Sequence, residues 1–215
     1  MKRYYFLAGI LLTVVALASS VVLYPHLSSQ VATHWNIQGK VDGYGDKSYA
    51  AFLVPGLMAI LLILFRFLPW LSPRHFEIET SRPTYLYVMV VLLALFAYLH
   101  ALMLLASLAK PMDVSRALVG GFFLFFALVG NVLGKIPRNF YVGVRTPWTI
   151  ADARVWHATH RLAAKLFVAV GALGFLTVLV AGWITTAFVL LMAAILAPVL
   201  FSLFYYKRLQ VRGEV

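Results

Sequence analysis

Six stretches of the chain are almost continuously apolar, and each is too long and too unalternating for a β-strand. They cover residues 4–24, 50–70, 85–108, 117–134, 163–181 and 185–206. About 20 apolar residues suffice for a helix to cross the hydrocarbon core of a bilayer. The pattern therefore predicts an all-α integral membrane protein, a bundle of six transmembrane helices. The first stretch follows Met1-Lys2-Arg3 without a convincing cleavage site, so we expect an uncleaved first helix.

The distribution of charge orients these helices. If the N-terminus is cytoplasmic, 14 of the 18 Lys and Arg residues fall on the inner side, which is the bias that short cytoplasmic loops show. We therefore expect both termini to be cytoplasmic, in a multi-pass protein of the cytoplasmic (inner) membrane. The formal charge of +11 then reflects orientation, and it does not imply direct nucleic-acid binding.

Composition supports a protein that lies mostly in lipid. The chain is 63% hydrophobic and only 12% charged, whereas a soluble domain is about 25% charged. The chain has no cysteine, which excludes disulfides, thiolate catalysis and Cys-based zinc sites. We divide the chain into an N-terminal membrane region (1–110, helices 1–3) and a second membrane region (111–215, helices 4–6).

Glycine and proline indicate how the helices pack. Gly120-Gly121, Gly130 and Gly134 in the fourth span, and Gly171 and Gly174 in the fifth, allow close approach to a neighbouring helix. Pro198 predicts a bend in the last helix. A short connection between the fifth and sixth spans predicts an antiparallel helix pair.

The outer loop, residues 25–49, is predicted to be extracellular and structured. Gly39, Gly43 and Gly45 indicate turns with positive φ. His34 and Asp42, with His26 and Asp46 nearby, admit two interpretations: a metal or acid–base cluster, or a compact cap on the bundle. The spacing is not that of a zinc motif. The candidate residues of this loop are His34, Trp35, Asn36, Gly39 and Asp42.

The long basic cytoplasmic loop between helices 4 and 5 lies within residues 130–162, which we call the signature loop. Pro137 and Pro147 prevent one continuous helix across it. Thr149 and Asp152 predict a capping box, with a helix beginning near Ile150. By i, i+3, i+4 spacing, one helix face then carries Trp156, Thr159, His160 and Ala163, and another carries Arg154, His157 and Arg161.

Several side chains have both a functional and a structural interpretation. Arg145 either recognises or pairs with a partner and sets the loop shape, or is one more positive-inside arginine. Trp148 and Trp156 are expected to be interface anchors rather than a ligand cage. His157 and His160 form either half of a metal site or, for His160, a hydrogen bond to a carbonyl or to the preceding loop.

Two polar residues within the spans are expected to make interhelical contacts. His100 lies in the third span, where an ionisable residue is a functional candidate. We expect it to be neutral and hydrogen-bonded to another helix. Asn131, at the end of the fourth span, is expected to make a similar contact.

The motifs of the signature loop occur in a set order. They are Gly130-Asn131, Pro137-Arg138-Asn139, Gly143-Val144-Arg145-Thr146-Pro147-Trp148-Thr149 and Val155-Trp156-His157-Ala158-Thr159-His160. This region resembles the signature of the SdpI-type immunity proteins, and the block from His34 to Gly43 resembles a domain of unknown function that often precedes it. The resemblance implies resistance to a secreted toxic peptide, and signalling that holds a cytoplasmic transcriptional repressor at the membrane. Its partners would be that peptide, that repressor and the lipid bilayer.

Two other classes of function stay open. A membrane-embedded hydrolase would use His34 with Asp42, or His157 and His160 with Asp152. A transporter of an amphiphilic compound would need a path but no ion coupling, since no chain of Asp and Glu crosses the membrane. The sequence predicts neither a cofactor nor a bound metal, and no catalytic residue is assigned.

Overall fold

The protein is a bundle of long helices with one small β-hairpin. The computed structural model describes residues 2–36, 41–71, 82–108, 113–180 and 183–214. Its elements are α1 (Lys2–Leu23), β1 (Gln30–Trp35), β2 (Val41–Asp46), α2 (Lys47–Phe67), α3 (Arg82–Ser107), α4 (Val114–Leu133), α5 (Pro147–Ala151), α6 (Ala153–Val180) and α7 (Ile184–Val211). Short 3₁₀ turns follow α1 and α2.

Six of these helices are long and apolar enough to cross a membrane. All of the helices except the five-residue α5 are in this set, so the predicted count of spans is confirmed. The fifth span differs from its prediction, because α6 begins at Ala153 rather than near 163. It is 28 residues long, and its first turns carry the end of the signature loop.

The expectation of an all-α protein is incomplete. In the outer loop, β1 and β2 pair in an antiparallel hairpin, with a bulge around His34. Gly43 and Gly45 are part of β2, and neither has a positive φ, so the prediction of turns there is wrong. Their missing side chains make room for β1: a Cβ atom on Gly43 would lie 2.9 Å from the Cβ of His34.

The hairpin lies at one end of the bundle, which we call the hairpin end. Val31 packs with Leu27 and with Leu104 of α3, and the Ser115 hydroxyl, near the start of α4, is 3.5 Å from the Asn36 carbonyl. At the start of α2, Asp46 accepts a hydrogen bond from the Ser48 amide and caps the helix. The signature loop lies at the opposite end, which we call the loop end.

A buried polar contact joins the first three helices. The Ser20 hydroxyl of α1 is 2.6 Å from the Ala51 carbonyl of α2 and 2.7 Å from Nε2 of His100 on α3. His100 is 1% exposed. The expected bond from His100 to another helix is confirmed, and the residue tightens the bundle where the three helices meet.

Glycine brings α4 and α6 into backbone contact. A Cβ atom on Gly130 would lie 2.9 Å from the Val168 nitrogen, and one on Gly171 would lie 2.6 Å from the Ala127 nitrogen. The predicted close approach at these positions is confirmed. Pro198 lies inside the continuous helix α7, and a bend there stays a prediction.

Candidate functional site

The signature loop begins with a turn that Asn139 builds. Its Oδ1 accepts the amide hydrogens of Tyr141 and Val142, both at 2.8 Å. Its Nδ2 donates to the Pro137 carbonyl at 2.8 Å and to the Val142 carbonyl at 3.1 Å. The side chain is 3% exposed, so all of its hydrogen-bonding capacity serves the backbone of the turn.

His160 joins this turn to α6. Its Nδ1 is 2.8 Å from the Trp156 carbonyl, and its Nε2 accepts the Val144 amide hydrogen at 3.0 Å. A carbonyl can only accept and an amide can only donate, so these partners define a neutral ring with its hydrogen on Nδ1. The predicted bonds to a carbonyl and to the preceding loop are both confirmed.

The residue before Val144 has to be glycine. Gly143 has a φ of +120°, and a Cβ atom there would lie 2.2 Å from Nε2 of His160. Positive φ disfavours residues with a side chain, and here the histidine ring also occupies the space. The loop therefore passes directly over the ring.

Trp156 is a core residue. It is 0% exposed, and its Nε1 donates to the Ile136 carbonyl at 2.8 Å. Its ring stacks on His160 with centroids 4.0 Å apart. The prediction of an interface anchor is wrong for Trp156, because its face of α6 packs under the signature loop instead of towards lipid headgroups.

The capping box lies three residues earlier than predicted. Thr146, not Thr149, is the N-cap, and the two residues bond reciprocally: Thr146 Oγ1 accepts the Thr149 amide hydrogen at 3.2 Å, and Thr149 Oγ1 accepts that of Thr146 at 2.9 Å. Pro147 at the first helical position fits this start. The helix that results is α5, and it ends at Ala151.

Asp152 belongs to the next helix. Its Oδ1 accepts the amide hydrogens of Arg154 and Val155 at 2.7 and 3.3 Å, so it caps α6 rather than completing the box with Thr149. Its Oδ2 lies 2.9 Å from the Arg154 guanidinium. Hydrogen bonding by Arg154 holds the pKa of Asp152 below its usual value of 3.8. Arg154 also reaches Glu214 at 3.1 Å.

Trp148 ties the loop to α7. Its indole nitrogen donates to the Ser202 hydroxyl, and Thr146 Oγ1 is 3.4 Å from the same oxygen. Ser202 is 0% exposed. The prediction that Trp148 is an interface anchor did not include this hydrogen bond to Ser202. Sequence reasoning did not single out Ser202, because a lone serine in a hydrophobic span carries no distinguishing signal.

Arg145 projects from the loop surface. The side chain is exposed, and its Nη1 donates to the Phe140 carbonyl, closing the segment between the two residues. Arg138 acts in a similar way, donating to the carbonyls of Ile150 and Ala151 at 3.1 and 3.2 Å. These arginines shape the loop, and Arg145 also presents charge to the surroundings.

Three predicted residues do not join this network. Asn131 is exposed on α4, and its side chain makes no hydrogen bond among the residues that the structure describes, so the expected contact is wrong. Thr159 is fully buried, and its hydroxyl finds no partner in the described chain. His157 is exposed, whereas His160 is buried with both ring nitrogens engaged, so the two rings do not converge on a metal.

The outer-loop candidates assemble only in part. Nδ1 of His34 lies 2.5 Å from Oδ1 of Asp42, across the hairpin, with 71% of the histidine side chain exposed. Trp35 pairs with Val41 in the strand register, and the Asn36 carbonyl faces Ser115. Gly39 lies outside the described residues. Within the described ranges, no three His, Asp or Glu side chains cluster as a metal site would require.

The surface of the signature loop is strongly basic. Residues 130–165 contain six Lys and Arg residues and a single acid, Asp152. Lys135, Arg145, Arg154, Arg161 and Lys165 are all exposed. The site is thus a rigid, internally bonded loop that presents positive charge at one end of a membrane bundle.

These features define a multi-pass helical membrane protein with an internally hydrogen-bonded basic loop at one end of the bundle. Comparison with known proteins is consistent with that class. Residues 135–205 match the family described as the SdpI/YfhL protein family, and residues 11–59 match a domain of unknown function, DUF1648. The chain is also 26% identical, over 203 residues, to the "Immunity protein SdpI" of Bacillus subtilis (strain 168), covering 94% of this chain and 95% of that protein.

The resemblance to the SdpI-type immunity proteins is thereby confirmed, and it extends over nearly the whole chain. The two matched regions correspond to α1 with the hairpin and α2, and to the signature loop with α6 and α7. No solved structure matches this chain.

Proposed function

We propose that this protein is an immunity protein of the cytoplasmic membrane that protects the cell from a secreted toxic peptide. The observation that carries the proposal is the similarity to the immunity protein of Bacillus subtilis across 94% of the chain. The match includes the hairpin end and the loop end as well as the apolar spans, so shared hydrophobicity alone does not account for it.

The division of the molecule into two ends supports this proposal. From the positive-inside bias we expect the loop end, with both termini, to lie in the cytoplasm and the hairpin end to lie outside. The hairpin end then meets a peptide arriving from outside. The loop end carries exposed basic side chains that fit an acidic surface on a cytoplasmic partner.

We infer that this partner is a transcriptional repressor, held at the membrane when toxin is present. Signalling of this kind requires two states of the bundle with different affinities for the toxin. The signature loop is suited to transmit a change between these states, because His160 bonds it to α6 and Ser202 bonds it to α7. A shift between these helices changes the loop directly.

The test is the survival of a sensitive bacterial strain that expresses this protein and is challenged with the family's type of secreted toxic peptide. Arg145→Ala is compared with Arg161→Ala, which removes the same charge from another exposed position at the loop end. At matched membrane levels we expect protection by the wild type and by Arg161→Ala, and recruitment of the repressor to membranes to be lost in Arg145→Ala alone. A well-expressed wild type that gives no protection contradicts the proposal.

One observation favours a hydrolase as a second candidate: the His34–Asp42 pair has the geometry of a base and its orienting carboxylate. Its histidine is 71% exposed, however, whereas catalytic sites exclude water around the reacting groups. We therefore expect His34→Ala to retain protection, and loss of protection with an intact fold would favour the enzyme.

A further inference from the structure

The signature loop packs against two separate hydrophobic clusters. The first cluster is the core of α1–α3, and it includes the buried residues Tyr85 and Leu86 of α3. The second cluster lies around Trp156 and Phe167 of α6. Among the described residues, Val142 is the one partly buried hydrophobic residue that packs against both clusters.

The backbone at Val142 is held on both sides. Oδ1 of Asn139 accepts the Val142 amide hydrogen at 2.8 Å, and Nδ2 of the same side chain donates to the Val142 carbonyl at 3.1 Å. Two residues further on, the Val144 amide donates to His160 at 3.0 Å. A shift of the Val142 side chain therefore strains these bonds and is passed on to the rest of the loop.

The N-terminal membrane region connects this contact to the hairpin end. Val31 of the hairpin packs with Leu104, near the end of α3, whereas Tyr85 and Leu86 lie in the first two turns of the same helix. A close-packed interior has low compressibility and transmits strain. A displacement at the hairpin end of α3 therefore reaches the first cluster at the loop end.

The hydrogen bonds between α3 and α4 do not include the loop. The Tyr98 hydroxyl donates to the Ala117 carbonyl at 2.8 Å, and the Tyr87 hydroxyl is 3.4 Å from the Leu128 carbonyl. Both carbonyls belong to α4, so these bonds hold the two regions side by side. Within the described chain, the core of α1–α3 meets the loop at Tyr141 and Val142.

We propose that Val142 is a coupling residue, which transmits a rearrangement of α1–α3 to the basic surface of the signature loop. The inference rests on the proposed function, for which it supplies the route from the hairpin end to the loop end. Asn139 is the positioning residue that holds Val142 between the two clusters. Arg145 follows three residues after Val142, so a change at Val142 alters where this charge is presented. Chains of packed side chains and rigid helices carry coupling of this kind.

The test perturbs the bundle at a distance and measures the loop. Ser20 lies about 27 Å along α1 from the start of that helix, at 1.5 Å per residue, and Ser20→Ala removes the buried contact with His100. The measured quantity is hydrogen exchange at the Val144 amide in detergent-solubilised protein, divided by exchange at the Val178 amide. Val178 is fully buried in α6, in a cluster that contains no loop residue, so the ratio corrects for a change in global stability.

We expect Ser20→Ala to raise this ratio roughly threefold, the size of a modest coupling between packed sites. Val142→Ala should abolish the rise, and Val142→Ile, which keeps a branched side chain, should retain it. Val144→Ala is the matched control, because Val144 packs against the second cluster but not against the first. The rise should persist in the Val144→Ala protein.

A ratio that Ser20→Ala leaves unchanged overturns the proposal. So does a rise that persists in the Val142→Ala protein, because the coupling then bypasses this residue. An equal rise with Ser19→Ala, whose hydroxyl bonds only within α1, also overturns it.

This comparison uses neither toxin nor repressor, so its failure is distinct from a failure of the proposed function. A protective wild type without the coupling leaves the immunity function in place and overturns the role of Val142. A coupled wild type that gives no protection counts against the immunity function and supports the coupling.

Discussion

A Cβ atom at position 143 would lie 2.2 Å from Nε2 of His160, the nitrogen that accepts the Val144 amide hydrogen. Gly143 and His160 therefore depend on each other, although 17 positions separate them in the sequence. The loop can make its bond to the ring only if its backbone turns with a positive φ directly above it.

We expect Gly143→Ala to destabilise the signature loop by about 2 kcal/mol or more, through backbone strain and displacement of the ring. The measurement is hydrogen exchange at the Val144 amide in detergent-solubilised protein, together with the thermal unfolding midpoint. Gly213→Ala is the control, since Gly213 has a φ of +68° but nothing within 4 Å of a new Cβ atom. Equal effects of the two substitutions would show that the ring contact contributes nothing.

The backbone contact between α4 and α6 gives a second prediction. A methyl group on Gly171 would lie 2.6 Å from the Ala127 nitrogen and 2.8 Å from the Phe123 carbonyl oxygen. Backbone atoms of a helix cannot move aside locally, so we expect Gly171→Ala to cost about 1–3 kcal/mol. At Gly120 the nearest atom is a Phe175 ring carbon at 3.7 Å, and Gly120→Ala should leave the unfolding transition unchanged. A Gly171→Ala protein as stable as the wild type contradicts this packing.

Ser20 gives a third prediction, at the buried contact among α1, α2 and α3. Ser20→Ala removes the partner of His100 Nε2 and leaves the ring buried without it, so we expect a loss of about 1–3 kcal/mol. Ser19→Ala is a close control, because the Ser19 hydroxyl bonds only within its own helix, to the Ala16 carbonyl. Chemical unfolding of the two variants side by side measures the difference. If Ser19→Ala is as damaging as Ser20→Ala, the interhelical bond is not the cause.

Asp152 predicts a dependence of stability on pH. Its pKa in the folded protein is below 3.8, chiefly because of the hydrogen bond from Arg154. A depressed carboxyl pKa contributes stability above the unfolded value, and that contribution is lost as the pH falls through the folded value. The thermal unfolding midpoint of the wild type should therefore fall when the pH is lowered below about 4. Asp152→Asn should already be less stable at neutral pH and should converge with the wild type in acid. Parallel curves over the whole range would contradict the prediction.

Much of the bundle follows from hydrophobicity alone. A run of about 20 apolar residues leaves few alternatives to a spanning helix, so the six spans were predictable. The face of α6 that carries Trp156, Thr159, His160 and Ala163 was also predictable from spacing, and all four residues are fully buried. The packing partner of that face was not predictable, because the sequence does not show that the signature loop folds back over it.

The errors have identifiable physical causes. The predicted start of α5 is too late because Thr149 and Asp152 match a capping pair, whereas Thr146 before Pro147 is the stronger start signal. The sequence does not predict the β-hairpin, because Gly43 and Gly45 are typical of turns, although in the structure they make room for the opposing strand. Ser202 and Ser20 carry no signal of their own, since the partner of a buried serine is known only once the helices are placed.

The two bonds of the signature loop, to His160 on α6 and to Ser202 on α7, have a mechanical consequence. Together they attach the loop to both helices at the loop end, so neither helix can move relative to the other there without lengthening one of the two bonds. The opposite ends of the same two helices are packed together by Val178, Ala187 and Leu191. A displacement that reaches the loop end is therefore converted into a change in the position of the exposed Arg145 and its positive charge.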